Sequence, residues 1–288
     1  MDDERFDIIY RLIADFASPR GKRQQYADSL ILLLFFWSVM RRKPRYWACD
    51  PRNRPRRLRD RPLPSPSQWS RRLNDPAFAD FHQRFLAHVL SRQQQALCLL
   101  ACYLIDAKAL PVSCYSKDKQ AQRGWACDHI AKGYKLFLLA DTAGRIVAYQ
   151  VHPMNHAEQT AALTLIQATD KPGYTLGDSV YDTDDFYRAA HHRGLQLITP
   201  RKDPTANIGV RASSPPRLHA IAMLETPIPG GFGPALYDQR TMIERMFSVM
   251  GSAAVGLDAL PPWVRTLGRV RLWVDAMIVL YLLFALVN

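Results

Sequence analysis

Between residues 98 and 200 the hydrophobic period of this 288-residue chain keeps switching, and that alternation limits the fold more than any other feature. Residues 98–110 (CLLACYLIDAKAL) are an apolar, strand-like run with an acid, Asp106, near its end. Residues 134–140 (YKLFLLA) and 145–151 (RIVAYQV) are two more such runs, joined through Asp141 and Gly144 in a hairpin turn. Residues 157–168 then show the three-to-four spacing of an amphipathic helix, with Asn155 or His156 near its cap. Residues 174–178 (YTLGD) read as a short strand ending in Asp178, 182–193 as a helix and 195–200 (LQLITP) as a strand. Asp182, Asp184 and Asp185 fall at the start of that helix, where acids suit the dipole. The predicted order is three strands, helix, strand, helix, strand. Such an order builds a mixed sheet flanked by helices, antiparallel first and parallel afterwards.

The flanks read differently. Residues 4–16 and 26–40 have helical patterns, the second almost wholly apolar. A Pro-rich segment, 41–66, follows with few secondary-structure signals. From Arg41 to Arg72 there are twelve Lys and Arg against Asp50 and Asp60, so most of the chain's net charge of +12 lies here. Interruption by Trp47, Leu58, Leu63 and Trp69 favours a folded basic surface over a solvated tail. Ser65 or Ser67 caps a helix, Asn74-Asp75-Pro76 breaks it, and a second short helix follows. With Arg71 and Arg72 exposed on the first, this is either a helix-turn-helix variant or a plain helical hairpin. The expected division is a helical, basic, DNA-binding region over 1–96 and an α/β domain over 97–288.

Residues 201–235 hold six prolines and four glycines and read as an irregular insertion with room for a short strand pair. After it, Tyr237, Arg240 and Glu244 are spaced three and four apart, on one face of a helix. A long final helix follows Pro262. An RNase H-like sheet has this order of elements, and in it the first and fourth strands are neighbours. Asp106 and Asp178 would then lie side by side, with Glu244 brought over them. Three crowded carboxylates repel unless cations intervene, and hard oxygen ligands favour Mg²⁺ or Mn²⁺. Two such ions, roughly 3.5–4 Å apart, suit phosphodiester chemistry. Lys108 and Lys135 are within range of a phosphate bound there, although a solvated lysine is the plainer reading of each. Trp125 and Trp263 are read as core residues, with stacking on bases the alternative.

Tyr-x2-Arg-x3-Glu resembles the signature of bacterial insertion-sequence DDE transposases, in which a Lys follows after six further residues; here that position is Gly251. LIDAKALPV resembles the family's first-Asp strand, KGYKLFLLAD its second strand, and GDSVYDTDDFYRAAHHRGLQLITPRK its second-Asp block. The resemblance spans roughly 100–288 and is closest to the IS-four-like superfamily. It implies cleavage of double-stranded DNA at terminal inverted repeats and transfer of the freed 3′-hydroxyl into target DNA. By it, Asp106, Asp178 and Glu244 would hold two Mg²⁺ (or Mn²⁺) ions, and Tyr237 and Arg240 would contact the DNA end. Lys135, Arg71 and Arg72 are carried as further DNA contacts. Pairing of two ends implies a homodimer in the DNA complex. Gly251 keeps open a domesticated or impaired copy that only binds DNA, and another RNase H-like nuclease is a third reading.

Five cysteines without a CxxC pair, Cys49, Cys98, Cys102, Cys114 and Cys127, read as free thiols of a reducing compartment. The apolar runs 30–40 and 276–287 are shorter than the roughly 20 residues a bilayer needs, and the acidic start MDDERFD is unlike a signal peptide. The expectation is a cytoplasmic, nucleoid-associated protein.

Overall fold

The computed structural model describes residues 2–16, 25–93, 101–126, 128–206, 208, 213–225, 231–252 and 255–284. Cys98 and Cys127 lie outside them. The chain divides into two compact units, Met1–Arg92 and Gln93–Asn288.

The first unit is helical. Helices α1 (Asp2–Phe16), α2 (Asp28–Met40), α3 (Pro66–Leu73) and α4 (Pro76–Ser91) surround a core of Phe6, Ile9, Ile13, Phe36, Trp69, Phe78 and Phe85. Every residue of α2 from Ile31 to Val39 is buried, which explains its unbroken apolar sequence. Ser65 starts α3 through a capping box with Gln68, and Asp75 caps α4 by accepting the Ala77 N–H at 3.0 Å. The second of these helices is sixteen residues long, not short. The basic segment is also more ordered than its sequence suggests, with 3-10 turns at Arg45–Cys49, Pro51–Asn53 and Arg56–Leu58. Anchors hold it: Leu58 is buried, the Trp37 indole donates to the Asn53 carbonyl at 2.6 Å, and Arg57 pairs with Asp7 at 3.0 Å.

The second unit is a curled mixed sheet flanked by helices. Its strands are β1 (Ala101–Pro111), β2 (Gln122–Ala126), β3 (His129–Asp141), β4 (Ile146–Pro153), β5 (Gly173–Leu176) and β6 (Leu195–Ile198). The order is β2-β3-β1-β5-β6, with β4 also paired to β3. β1, β3 and β4 pair antiparallel, while β5 joins β1, and β6 joins β5, in parallel. This order is compatible with an RNase H-like domain. β2, which the sequence reading missed, pairs with the first part of β3 and leaves Trp125 63% exposed, so that tryptophan is not a core residue. Gly173 opens β5 at φ +147°, where a Cβ would stand 1.9 Å from the Ala101 carbonyl oxygen; only glycine permits the two strands to meet there.

Helices α5 (Glu158–Leu165) and α6 (Asp184–His192) precede and follow β5, as expected. The predicted irregular insertion instead contains an eleven-residue helix, α7 (Pro215–Glu225). Prolines 215 and 216 stand in its first turn, where the missing N–H costs nothing. No strand pair occurs there among the described residues. Helices α8 (Phe232–Tyr237), α9 (Thr241–Gly251) and α10 (Leu267–Phe284) complete the unit. α10 packs on β4, and its buried Asp275 accepts a 2.7 Å hydrogen bond from Tyr149. No described helix is long and apolar enough to cross a membrane.

Candidate active site

The site begins where β5 stops. Along the parallel pair, Cys102 faces Tyr174 and Leu104 faces Leu176. Two residues further on, each strand direction reaches an aspartate, Asp106 or Asp178. β1 itself continues to Pro111, paired only with β3 on the other side. Asp106 is therefore mid-strand rather than near the strand's end. What ends beside it is the parallel neighbour, and that opens a notch in the sheet. Asp178 caps the 3-10 turn Ser179–Tyr181, accepting the Val180 N–H at 3.0 Å. Asp106 accepts the Ala107 N–H at 2.7 Å.

Over this notch comes the helical stretch that begins at Phe232. It is not one uniform helix: a 3-10 turn, Asp238–Arg240, separates α8 from α9. Tyr237, Arg240 and Glu244 thus sit at the end of one helix, in the turn, and in the first turn of the next. The Tyr237 hydroxyl donates to the Gly177 carbonyl at 3.2 Å, tying α8 to the residue before Asp178. Arg240 forks between two acids. One terminal nitrogen donates to Asp106 Oδ2 at 3.1 Å and the other to Glu244 Oε1 at 2.8 Å. Buried Ile243, Met246 and Met250 hold α9 down.

Burial is the main influence on Asp106 and pushes its pKa up to about 6; the Arg240 charge opposes this, and the charges of Asp178 and Glu158 add to it. Asp178 is also raised, first by burial and further by Glu158. Tyr181 is fully buried, and its phenol is pushed well up by burial and then by the charges of Glu158, Asp106 and Asp178. Its hydroxyl has no hydrogen-bond partner among the described residues, nor does Arg240 Nε. A buried polar group without a partner costs about 1–3 kcal/mol, so two of them beside an acid pair mark unused bonding capacity.

Several residues stand elsewhere than expected. Glu158, read only as part of a helix, is a fourth carboxylate whose charge reaches Asp106 and Asp178. Its signal was absent from the sequence because it comes from the helix between β4 and β5, with no motif around it. Lys135 is not a solvated lysine. It is 8% exposed and bound to Glu158 at 2.5 Å. It is an odd number of residues from Leu138, the partner of Asp106, and so leaves the opposite face of the sheet, where its charge still reaches Asp178 and opposes the rise in its pKa. Arg72 is likewise not exposed. It forks to Asp28 and Asp75 inside the helical unit, whereas Arg71 does face solvent. Asp182 does not cap α6; it pairs with Arg217 at 2.7 Å and accepts the Lys202 N–H at 3.0 Å. Glu225, at the end of α7, is engaged by Arg201.

Among the described residues no three acid, His or Cys side chains converge at metal-ligating distance. Glu244 is 56% exposed and bound to Arg240 rather than turned in to the aspartates. The donor set nonetheless fits a hard divalent cation. It offers carboxylate oxygens only, and the raised pKa values of Asp106 and Asp178 reflect burial and like charge that such a cation would offset.

A mixed sheet that sets two aspartates at a notch between parallel neighbours, beneath a helix bearing arginine and glutamate, defines an α/β protein with an acidic, arginine-bridged site. The model of the transposase DDE domain family matches residues 100–283, well over half of the chain and all of the site. The chain belongs to the transposase DDE domain family. No curated protein matches it.

Proposed function

We propose that this protein is the transposase of an insertion sequence in the IS-four-like superfamily, cutting DNA at the element's terminal inverted repeats and joining the freed 3′-hydroxyl to target DNA. The observation that carries this reading is the linkage of Asp106 to Glu244 through Arg240, with Asp178 beside Asp106, in a chain whose DDE domain matches over 100–283. Asp106, Asp178 and Glu244 would hold Mg²⁺ or Mn²⁺, in a pair of sites. When bound, the metal supplies charge stabilisation at the scissile phosphate and a more acidic attacking water or hydroxyl.

The chain's own residues do the rest. Asp106 and Asp178 present carboxylate oxygens at the notch where β5 stops beside β1. Arg240 occupies both Asp106 and Glu244 in the free protein and can exchange those carboxylates for a DNA phosphate oxygen, since guanidinium binds either bidentately. That exchange releases Glu244 toward the aspartates. Tyr237 fixes the end of α8 against Gly177 and flanks the same phosphate path. Arg71, with the exposed arginines of the helical unit, supplies sequence-independent backbone binding. Two protomers would pair two element ends.

The test is cleavage and joining of the element's own DNA ends with Mg²⁺, comparing wild type with Glu244→Ala. Loss of both steps in the variant, with DNA binding kept, supports the reading. Equal activity in the two proteins would remove Glu244 from the site. A wild type that binds the ends but cuts nothing would make it a DNA-binding descendant.

A further inference from the structure

Lys108 is two residues beyond Asp106 on β1, so both side chains leave the same face of the sheet. This is the face on which α9 packs. Arg240, just before α9, reaches Asp106; at the other end of α9, the Lys108 Nζ lies 3.8 Å from where a Cβ on Gly251 would stand. Gly251 is seven residues after Glu244, about two turns along the same side of the helix. Hence Asp106 and Lys108 on the strand are matched, in the same order, by Glu244 and Gly251 on the helix.

The Lys108 side chain is half-buried, yet its ammonium makes no hydrogen bond or ion pair among the described residues. The neighbouring lysines are settled: Lys135 is bound to Glu158, and Lys132 donates to the Ser116 carbonyl at 2.7 Å. An ammonium without a paired anion has only the diffuse dipole of the nearby helix end for a partner. Gly251 leaves the adjoining space open. A Cβ there would meet only the Leu257 carbonyl oxygen at 3.7 Å and Lys108 Nζ at 3.8 Å, both ordinary contacts.

We propose that Lys108 is a DNA-contacting residue of this site: its ammonium, delivered from β1 into the gap beside Gly251, binds a phosphodiester oxygen of the strand cut at Asp106 and Asp178. The inference rests on the transposase reading. It gives Gly251 a meaning, because the cation absent from the helix at that position is supplied from the strand facing it, and the departure from the family signature is not a lesion.

The experiment is binding of a duplex oligonucleotide carrying the DNA that flanks the chain's own reading frame, without divalent metal, over a range of KCl concentrations. Wild type, Lys108→Gln, Gly251→Lys and the double variant are compared, and each is also melted. Loss of one phosphate contact lowers the slope of log K against log salt by about 0.9 and weakens binding roughly tenfold near 0.1 M salt. The double variant should recover both, because Gly251→Lys returns a cation to the same gap. An unchanged slope in Lys108→Gln, with or without a lower melting temperature, overturns the proposal and makes Lys108 a structural partner of α9. Failure of the transposase reading looks different. In that case the wild type shows no salt-dependent binding, or Asp106→Asn cuts DNA as well as wild type, and the proposal falls with it.

Discussion

Asp106, half-buried, and Asp275, buried, are acids of the second unit, and desolvation pushes each to a pKa of about 6. Their surroundings separate them. Asp275 receives the Tyr149 hydroxyl at 2.7 Å, and together they fasten α10 to the sheet. Asp106 has an arginine on one side and a second aspartate within range on the other, and the Tyr181 hydroxyl buried near it has no partner. A raised carboxyl pKa is therefore not the mark of a functional acid. Bonding capacity left unused around the acid is the better mark, because folding alone gives no reason to leave it so.

The largest expected effect follows from that contrast. Asp106→Asn should lower metal-dependent DNA cleavage on the order of 10³-fold, since several kcal/mol of charge stabilisation pass through that carboxylate. Its thermal midpoint should hold or rise, because a buried charge is removed. Asp275→Asn should leave cleavage near the wild-type rate. Equal losses in the two variants, measured side by side, would abolish the distinction.

Asp275 should instead appear in stability against pH. Its folded pKa is raised above that of the unfolded chain, so between about pH 4 and 6 the native state holds a proton that the unfolded state has released. The sign follows: stability falls as pH rises through that window and is level above it. For Asp275 the fall is about 3 kcal/mol. Urea unfolding of Asp275→Asn at pH 4 and pH 7 checks this. The variant should gain on wild type as pH rises, and a constant difference would mean that Asp275 is not the group titrating.

Tyr181→Phe is expected to act in opposite directions on its two readouts. Removing an unpartnered buried hydroxyl should stabilise the fold by about 1–2 kcal/mol. Cleavage should nevertheless fall about tenfold if that hydroxyl is held in reserve for groups bound between Asp106 and Asp178. Tyr149→Phe should do the reverse, losing stability and keeping activity, because it strips Asp275 of its donor.

The sequence made five of the six strands legible, and with them the spacing that lets Arg240 link Asp106 to Glu244, because both depend on local patterns. Apolar runs ending near acids, a hairpin turn with Gly144 and the Tyr237–Arg240–Glu244 spacing can all be read within a dozen residues. What stayed hidden depends on pairing across distance. Nothing near Glu158 announces that it binds Lys135 from a strand more than twenty residues earlier. Nor does Arg72 reveal Asp28 as its partner, which turned an expected DNA contact into an internal ion pair. The proline count hid α7, since two of those prolines occupy a helix start, the one helical place where proline is at home. Lys108 was visible as a lysine near an acid. Only the approach of α9 to β1 places it opposite Gly251.

The smallest effect is the most discriminating control. Thr175, on β5, is fully buried, and its hydroxyl, like that of Tyr181, has no hydrogen-bond partner among the described residues. It pairs with Tyr103 on β1, three residues before Asp106, an odd offset that turns it to the face of the sheet opposite Asp106. If unused bonding capacity signifies function only where it meets the acid pair, Thr175→Val should be a purely structural change. Valine fills the same volume in a strand, so the gain should be about 1 kcal/mol in stability with the cleavage rate and its pH profile unmoved. A thermal melt and a cleavage time course on the same preparation decide it. Should Thr175→Val depress cleavage as Tyr181→Phe does, an orphan hydroxyl would not be diagnostic of this site, and the contrast between Asp106 and Asp275 would rest on Arg240 alone.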